Sequence, residues 1–114
     1  MTLKPGDVVT ADFPGVTGVK RRPVVVVSTL EYHTHRPDVI VGVITSQVAN
    51  ATTPVDHLLQ DWATSGLHHP SAFRAFLATL PATAASAPIG HCSTRDWQAI
   101  QVCLSKAIAA QGTS

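Results

Sequence analysis

The sequence predicts an α+β domain, with a mostly antiparallel sheet built first and a helix added at the end. Two runs of nearly pure β-formers, Val24-Val25-Val26-Val27 and Val39-Ile40-Val41-Gly42-Val43-Ile44, read as buried strands. Apolar residues at sustained helical spacing come late, at Trp97, Ile100, Leu104, Ala107 and Ile108. Strands grouped ahead of a helix, instead of alternating with helices, place that helix on one face of the sheet.

Taken in order, Lys4-Pro5-Gly6 is a turn. Asp7-Val8-Val9-Thr10-Ala11-Asp12-Phe13 then alternates, with Val9, Ala11 and Phe13 on the core face and Asp7 and the others facing away. Residues 14–19, rich in Gly and Pro, form a loop that delivers Lys20, Arg21 and Arg22 to the valine strand. Thr29 to Asp38 reads as an irregular polar connection, and the second β-run ends in Thr45-Ser46-Gln47. Val55 to Ala63 fits a short helix with Leu58, Leu59 and Trp62 inward. Ala72 to Leu80 fits a strand, although its alanines also allow helix. Residues 81–88, all Ala, Ser, Thr and Pro, read as a mobile loop. Ser93 with Asp96 three residues on starts the last helix, which Gly112 would stop.

Composition bounds the function. The 114 residues make one domain, 1–114, large enough for a core without disulfides or metal. Hydrophobic residues are 45% and charged residues only 13%, so much of the surface is uncharged and a homodimer or a protein partner is expected. A net charge of +1 excludes holding nucleic acid through bulk charge, so any such contact must be local. Cys92 and Cys103 lack metal-site spacing and fit small buried hydrophobes in a reduced cytoplasm. The N-terminus has no apolar signal region and no run suits a membrane, so a soluble cytoplasmic protein is expected.

The chemistry gathers at the ends of the two buried strands. Pro23 favours an extended Arg22 at the mouth of the valine strand. A guanidinium on rigid backbone there can grip a phosphate through two parallel hydrogen bonds. A basic triplet is also what keeps an aggregation-prone strand soluble, and the residues alone leave both readings open. If the two strands are antiparallel neighbours, Arg22 lies beside Thr45 and Ser46.

In that order and spacing, Gly6-Asp7-Val8-Val9 with Asp12-Phe13-Pro14, Arg22-Pro23-Val24-Val25-Val26-Val27-Ser28 and Val43-Ile44-Thr45-Ser46-Gln47 resemble the PemK/MazF family of toxin endoribonucleases. Later landmarks, from Asp61-Trp62 through Arg74 to Ser93-Thr94-Arg95-Asp96-Trp97, extend the resemblance over nearly the whole chain. The resemblance implies a small SH3-like β-barrel with a C-terminal helix and one or two short helices. It also implies cleavage of single-stranded RNA, a homodimer whose interface helps to form the RNA groove, and a cognate antitoxin whose disordered tail folds across that groove.

Without a metal or cofactor, RNA can be cut by its own 2′-hydroxyl, leaving a 2′,3′-cyclic phosphate and a 5′-hydroxyl. The protein must then stabilise charge on the phosphoryl oxygens, which suits Arg22. The resemblance assigns Arg22 and Thr45 to catalysis and Arg74 to a second phosphate contact; beside them, Lys20, Arg21, Ser46 and Gln47 are expected as further RNA contacts. Strand alternation argues against Ser46, and Arg74 reads equally as a plain surface arginine. No base is assigned, since a guanidinium holds its proton too tightly. His68-His69 and the His33/His35 pair fit exposed loop histidines better than an acid–base pair or a metal set. Tyr32, Phe13 and Trp62 are the candidates for base stacking, and each fits the core equally well. An acidic residue that many family members place after the strand matching Ala78-Thr79-Leu80 is missing here, which points to altered rate or sequence preference. The competing reading is a non-catalytic toxin on the same barrel that poisons a protein such as DNA gyrase. A small autoregulatory or structural barrel is a weaker third.

Overall fold

The computed structural model describes residues 2–15 and 18–109. Six strands form one antiparallel sheet: β1 (Asp7–Gly15), β2 (Gly18–Val26), β3 (Asp38–Thr45), β4 (Asp56–Leu58), β5 (Ala72–Pro81) and β6 (Gly90–His91). Their spatial order is β4-β5-β3-β2-β1-β6. The sheet curls into a half-barrel and carries α1 (Leu30–His35), α2 (Thr94–Ala107) and short helical turns at Val48–Asn50 and Ala82–Ala84. Among the described residues, no helix is long and apolar enough to cross a membrane.

Strand alternation divides the apolar residues between two cores. Val9, Ala11, Phe13, Val24, Val26, Val39, Val41 and Val43 fill the inside of the curl. Val8, Val25, Ile44 and Phe73 point the other way, where Ile100 and Cys103 of α2 cover them. Both faces being covered explains why the β2 and β3 runs are almost unbroken Val and Ile. Curvature is built in where β3 meets β5, by a register shift between Gly42 and Val43. Gly42 is required there, because a Cβ would lie 2.4 Å from Cε1 of the fully buried Phe73.

Several expectations are corrected. The 29–38 connection contains α1, started by Thr29, whose Oγ1 accepts from the Tyr32 N–H at 3.1 Å. No helix forms over 55–63. Asp56–Leu58 pairs with the free edge of β5 as β4, leaving Leu58 exposed and Leu59 buried. The 14–19 loop is shorter than read, since β1 runs to Gly15 and β2 begins at Gly18, so Lys20, Arg21 and Arg22 lie within the strand. Asp7 does not face water. It is buried, accepting from His91 Nδ1 at 3.0 Å and from the Lys4 N–H.

The 81–88 segment is tied down rather than loose. The Ser86 N–H donates to the Thr10 carbonyl, and Ser86 Oγ accepts from the Thr10 N–H at 2.8 Å. The Ile89 N–H donates to Val8. The α2 start is as read, with Ser93 Oγ accepting from the Asp96 N–H, but Ala107 and Ile108 are exposed at its end. Gly112 lies outside the described residues.

Candidate functional site

Pro23 decides where the site opens. The β2–β3 ladder pairs Val26 with Val41, Val25 with Gly42 and Val24 with Val43, and stops there. The next residue of β2 is a proline, which has no N–H for the ladder. Beyond it the strands part, and the register carried two steps past the last pair sets Arg22 opposite Thr45. Arg22 is paired with Ala11 of β1 and Lys20 with Phe13, so both cations share the face of Val24 and Val26. Thr45, two residues beyond Val43, continues the same face from β3. The apolar inner row therefore ends in a guanidinium and a hydroxyl.

An open concavity of about 950 Å³ lies over this rim. Every residue expected in catalysis or phosphate contact lines it, namely Arg22, Thr45, Lys20, Arg21, Ser46, Gln47 and Arg74, whereas the stacking candidates Tyr32 and Trp62 do not. Among the described residues, no carboxylate lines it. Four basic side chains thus share one hollow in a chain of net charge +1, which gives the local electropositive field that the totals conceal.

The cations differ in how far they are already engaged. Arg21 is 3.7 Å from Asp12 across the hairpin, in an exposed pair. Arg74 is held in place, with its Nε 3.5 Å from Asp56 Oδ1 and its Cζ 4.4 Å from the Phe76 ring centre. That Nε is buried without a hydrogen-bond partner, the ion pair being too poorly aligned for one. Burial raises the Asp56 pKa, but hydrogen bonds from the Thr53 N–H and hydroxyl, with Arg74 beside it, outweigh burial and leave it below 3.8. Arg22 has no ion-pair partner among the described residues. Thr45 Oγ1 accepts from the Gln47 N–H at 3.1 Å, a bond that leaves its own hydrogen available to an acceptor in the hollow.

One feature of the lining, Phe76, escaped the sequence reading. Phe76 is 55% exposed in the hollow, whereas Phe13 is buried and Trp62 packs against the helix-side core, so neither offers an open ring. Phe76 sits where β5 slips register against β3, between Arg74 and Leu77. His68 and His69 are exposed loop histidines, as read, and they also line the hollow, whereas His33 is fixed by Ser28 and the Leu3 carbonyl on α1. The one available signal was the vicinal pair after Gly66-Leu67, and it belongs to no strand pattern.

The loop that presents these imidazoles is locked. Gly66 has φ +89°, and a Cβ there would meet the Ile89 carbonyl oxygen at 2.2 Å. Leu67 is buried, and Ser71 Oγ donates to the His69 carbonyl at 2.7 Å. Gly66→Ala is expected to lower stability by more than the ~1–3 kcal/mol of left-handed strain, since backbone must also move. Urea unfolding should show this as a lower midpoint at unchanged slope.

Among the described residues, no group of three or more His, Cys, Asp or Glu side chains is placed to hold a metal ion. Burial, with Asp96 and Asp7 nearby, pushes the Cys92 thiol up to about 12, so it is inert as a nucleophile.

Solved structures share this fold. An endoribonuclease from a Mycobacterial species, in complex with its cognate antitoxin, is 20% identical and superposes with a TM-score of 0.77 over 93% of this chain and 94% of that one. The Mycobacterium tuberculosis toxin MazF-mt6 is also 20% identical, with a TM-score of 0.72 over 89% and 94%. MazF from Deinococcus radiodurans is 18% identical, with a TM-score of 0.75 over 94% and 96%. The architecture is therefore that of the MazF toxins. No curated protein matches by sequence. A family profile for the PemK-like, MazF-like toxins of type II toxin-antitoxin systems matches residues 4–108, and the chain belongs to that family.

Proposed function

We propose that this toxin is a sequence-selective, metal-independent endoribonuclease that cuts single-stranded mRNA and so inhibits translation. In this reading the attacking group is the 2′-hydroxyl, and the products are a 2′,3′-cyclic phosphate and a 5′-hydroxyl. The observation that carries the reading is the presence of Arg22 and Thr45 together where β2 and β3 part, in a hollow lined by four basic residues and, among the described residues, no carboxylate. Guanidinium and hydroxyl donors suit a phosphoryl group that gains charge in the transition state. Hard divalent cations are held mainly through carboxylate oxygens, which the described lining lacks. Lys20, Arg21 and Arg74 would hold flanking phosphates, and Ser46 and Gln47 would meet the strand beside Thr45.

The protein would act in the cytoplasm as a homodimer, restrained by its own antitoxin. Exposed Val19, Phe76 and Ile89 give it apolar surface for partners, and the Mycobacterial structure holds its cognate antitoxin on the same fold.

The test is incubation of antitoxin-free protein with a long single-stranded RNA in EDTA, mapping the termini. Discrete cuts with 5′-hydroxyl and cyclic phosphate ends are expected. No cutting by folded protein would overturn the reading and turn attention to a protein target such as gyrase.

A further inference from the structure

The geometry points to the His68–His69 pair as the proton-transfer groups of RNA cleavage at this site, an inference that rests on the nuclease reading above. The 2′-hydroxyl must lose a proton to attack, and the departing 5′-oxygen must gain one. A guanidinium, as a class of side chain, is a poor proton donor or acceptor near neutral pH, and a threonine hydroxyl is a poor base. Imidazole is the side chain suited to both tasks in that range. Three other histidines are committed to structure, His33 to Ser28, His57 to Asp96 and His91 to Asp7. His68 and His69 instead line the hollow with Arg22 and Thr45.

They are presented by fixed backbone, on a loop pinned by buried Leu67 on one side and buried Ser71 on the other. The charged groups facing them across the hollow are Lys20, Arg21 and Arg22 of β2 and Arg74 of β5, with Asp12 beside Arg21 and Asp56 behind Arg74. The step balances. A neutral imidazole accepts the 2′-hydroxyl proton as the O2′–P bond forms. The neighbouring imidazolium gives its proton to the 5′-oxygen as the P–O5′ bond breaks. The pair ends with the two protonation states exchanged, and solvent restores them.

The experiment is single-turnover cleavage of an RNA oligonucleotide carrying one mapped site, from pH 5 to 9, with His68→Ala and His69→Ala beside wild type and Arg22→Ala. A second substrate carries sulfur in place of the scissile 5′-oxygen, a leaving group that needs no proton. Wild type should give a bell-shaped profile, and each histidine variant should slow by about 10²–10⁴-fold and lose one limb. The variant lacking the acid should regain most of its rate on the sulfur substrate, and the other should not. Histidine variants with unchanged melting that keep both limbs would overturn the inference, as would slowing without loss of a limb. If Arg22→Ala alone abolishes cutting, the nuclease reading stands and only the proton assignment falls. If wild type cuts nothing, both fall.

Discussion

Arg22→Ala is expected to lower RNA cleavage by about 10²–10³-fold, the cost of removing one preorganised donor aimed at developing negative charge. Folding should be nearly unaffected. Arg22 is only half-buried, at the outer end of an apolar row, and has no ion-pair partner among the described residues. Removing it leaves no buried group unpaired, so its melting temperature should stay close to that of wild type. Arg22→Lys should recover little activity, because an ammonium cannot supply the paired hydrogen bonds of a guanidinium. Cleavage rates set beside thermal melts of the same preparations check both halves. An Arg22→Ala protein that cuts at the wild-type rate would remove this residue from the chemistry.

Asp96→Ala is expected to be the most damaging single change to stability, at roughly 3–5 kcal/mol. Asp96 was read as the third residue of a helix start, and it does sit there. Its carboxylate, however, is fully buried and joins α2 to the far end of the sheet. It accepts from His57 Nε2 of β4 at 2.8 Å, from the Gln60 N–H at 2.9 Å and from the Asp61 N–H at 2.8 Å. Without it, two backbone donors and an imidazole lose their acceptor at once. The chain beyond β4 would lose its anchor, and with it the loop that carries His68 and His69.

This carboxylate also sets a pH dependence. Burial would raise the Asp96 pKa, but the Gln60 N–H, His57 and the Asp61 N–H outweigh it and hold the group below 3.8. A depressed folded-state pKa contributes stability that is fully present above the unfolded value. It is lost as pH falls below about 3.8 and through the folded-state value. Wild type should thus lose stability in that acid window, and Asp96→Ala should lose less of it, as urea midpoints from pH 6 to 2.5 would show.

Legibility followed the range of the forces involved. The valine strand, the second strand and the capped helix were readable because each is specified by its own residues, through β-branching, alternation and a local cap. Arg22 and Thr45 were readable because each adjoins such a strand and the antiparallel register then follows. The region after Val48 was harder. Leu58, Leu59 and Trp62 fit a helical turn as well as a strand and a bend, and what selected β4 was an unpaired β5 edge and the buried carboxylate of Asp96, 38 residues beyond Leu58 in the sequence. Phe76 was hidden for a similar reason, since its exposure comes from a slip of β5 against β3.

By itself, then, the sequence determined the class of fold, the two core strands, the proline at the mouth of the first, and the arginine and threonine at their polar ends. These rest on local steric preference and on the two-residue period of a strand, which any reader of the chain can apply. Only the tertiary structure decided that His68 and His69 share the hollow with Arg22, that Asp96 is a buried anchor as well as part of the helix start, and that the 81–88 segment is fastened to β1. Each of these depends on long-range closure, in which a hydrogen bond or a contact forms between residues that the sequence holds far apart and only the folded sheet brings within reach.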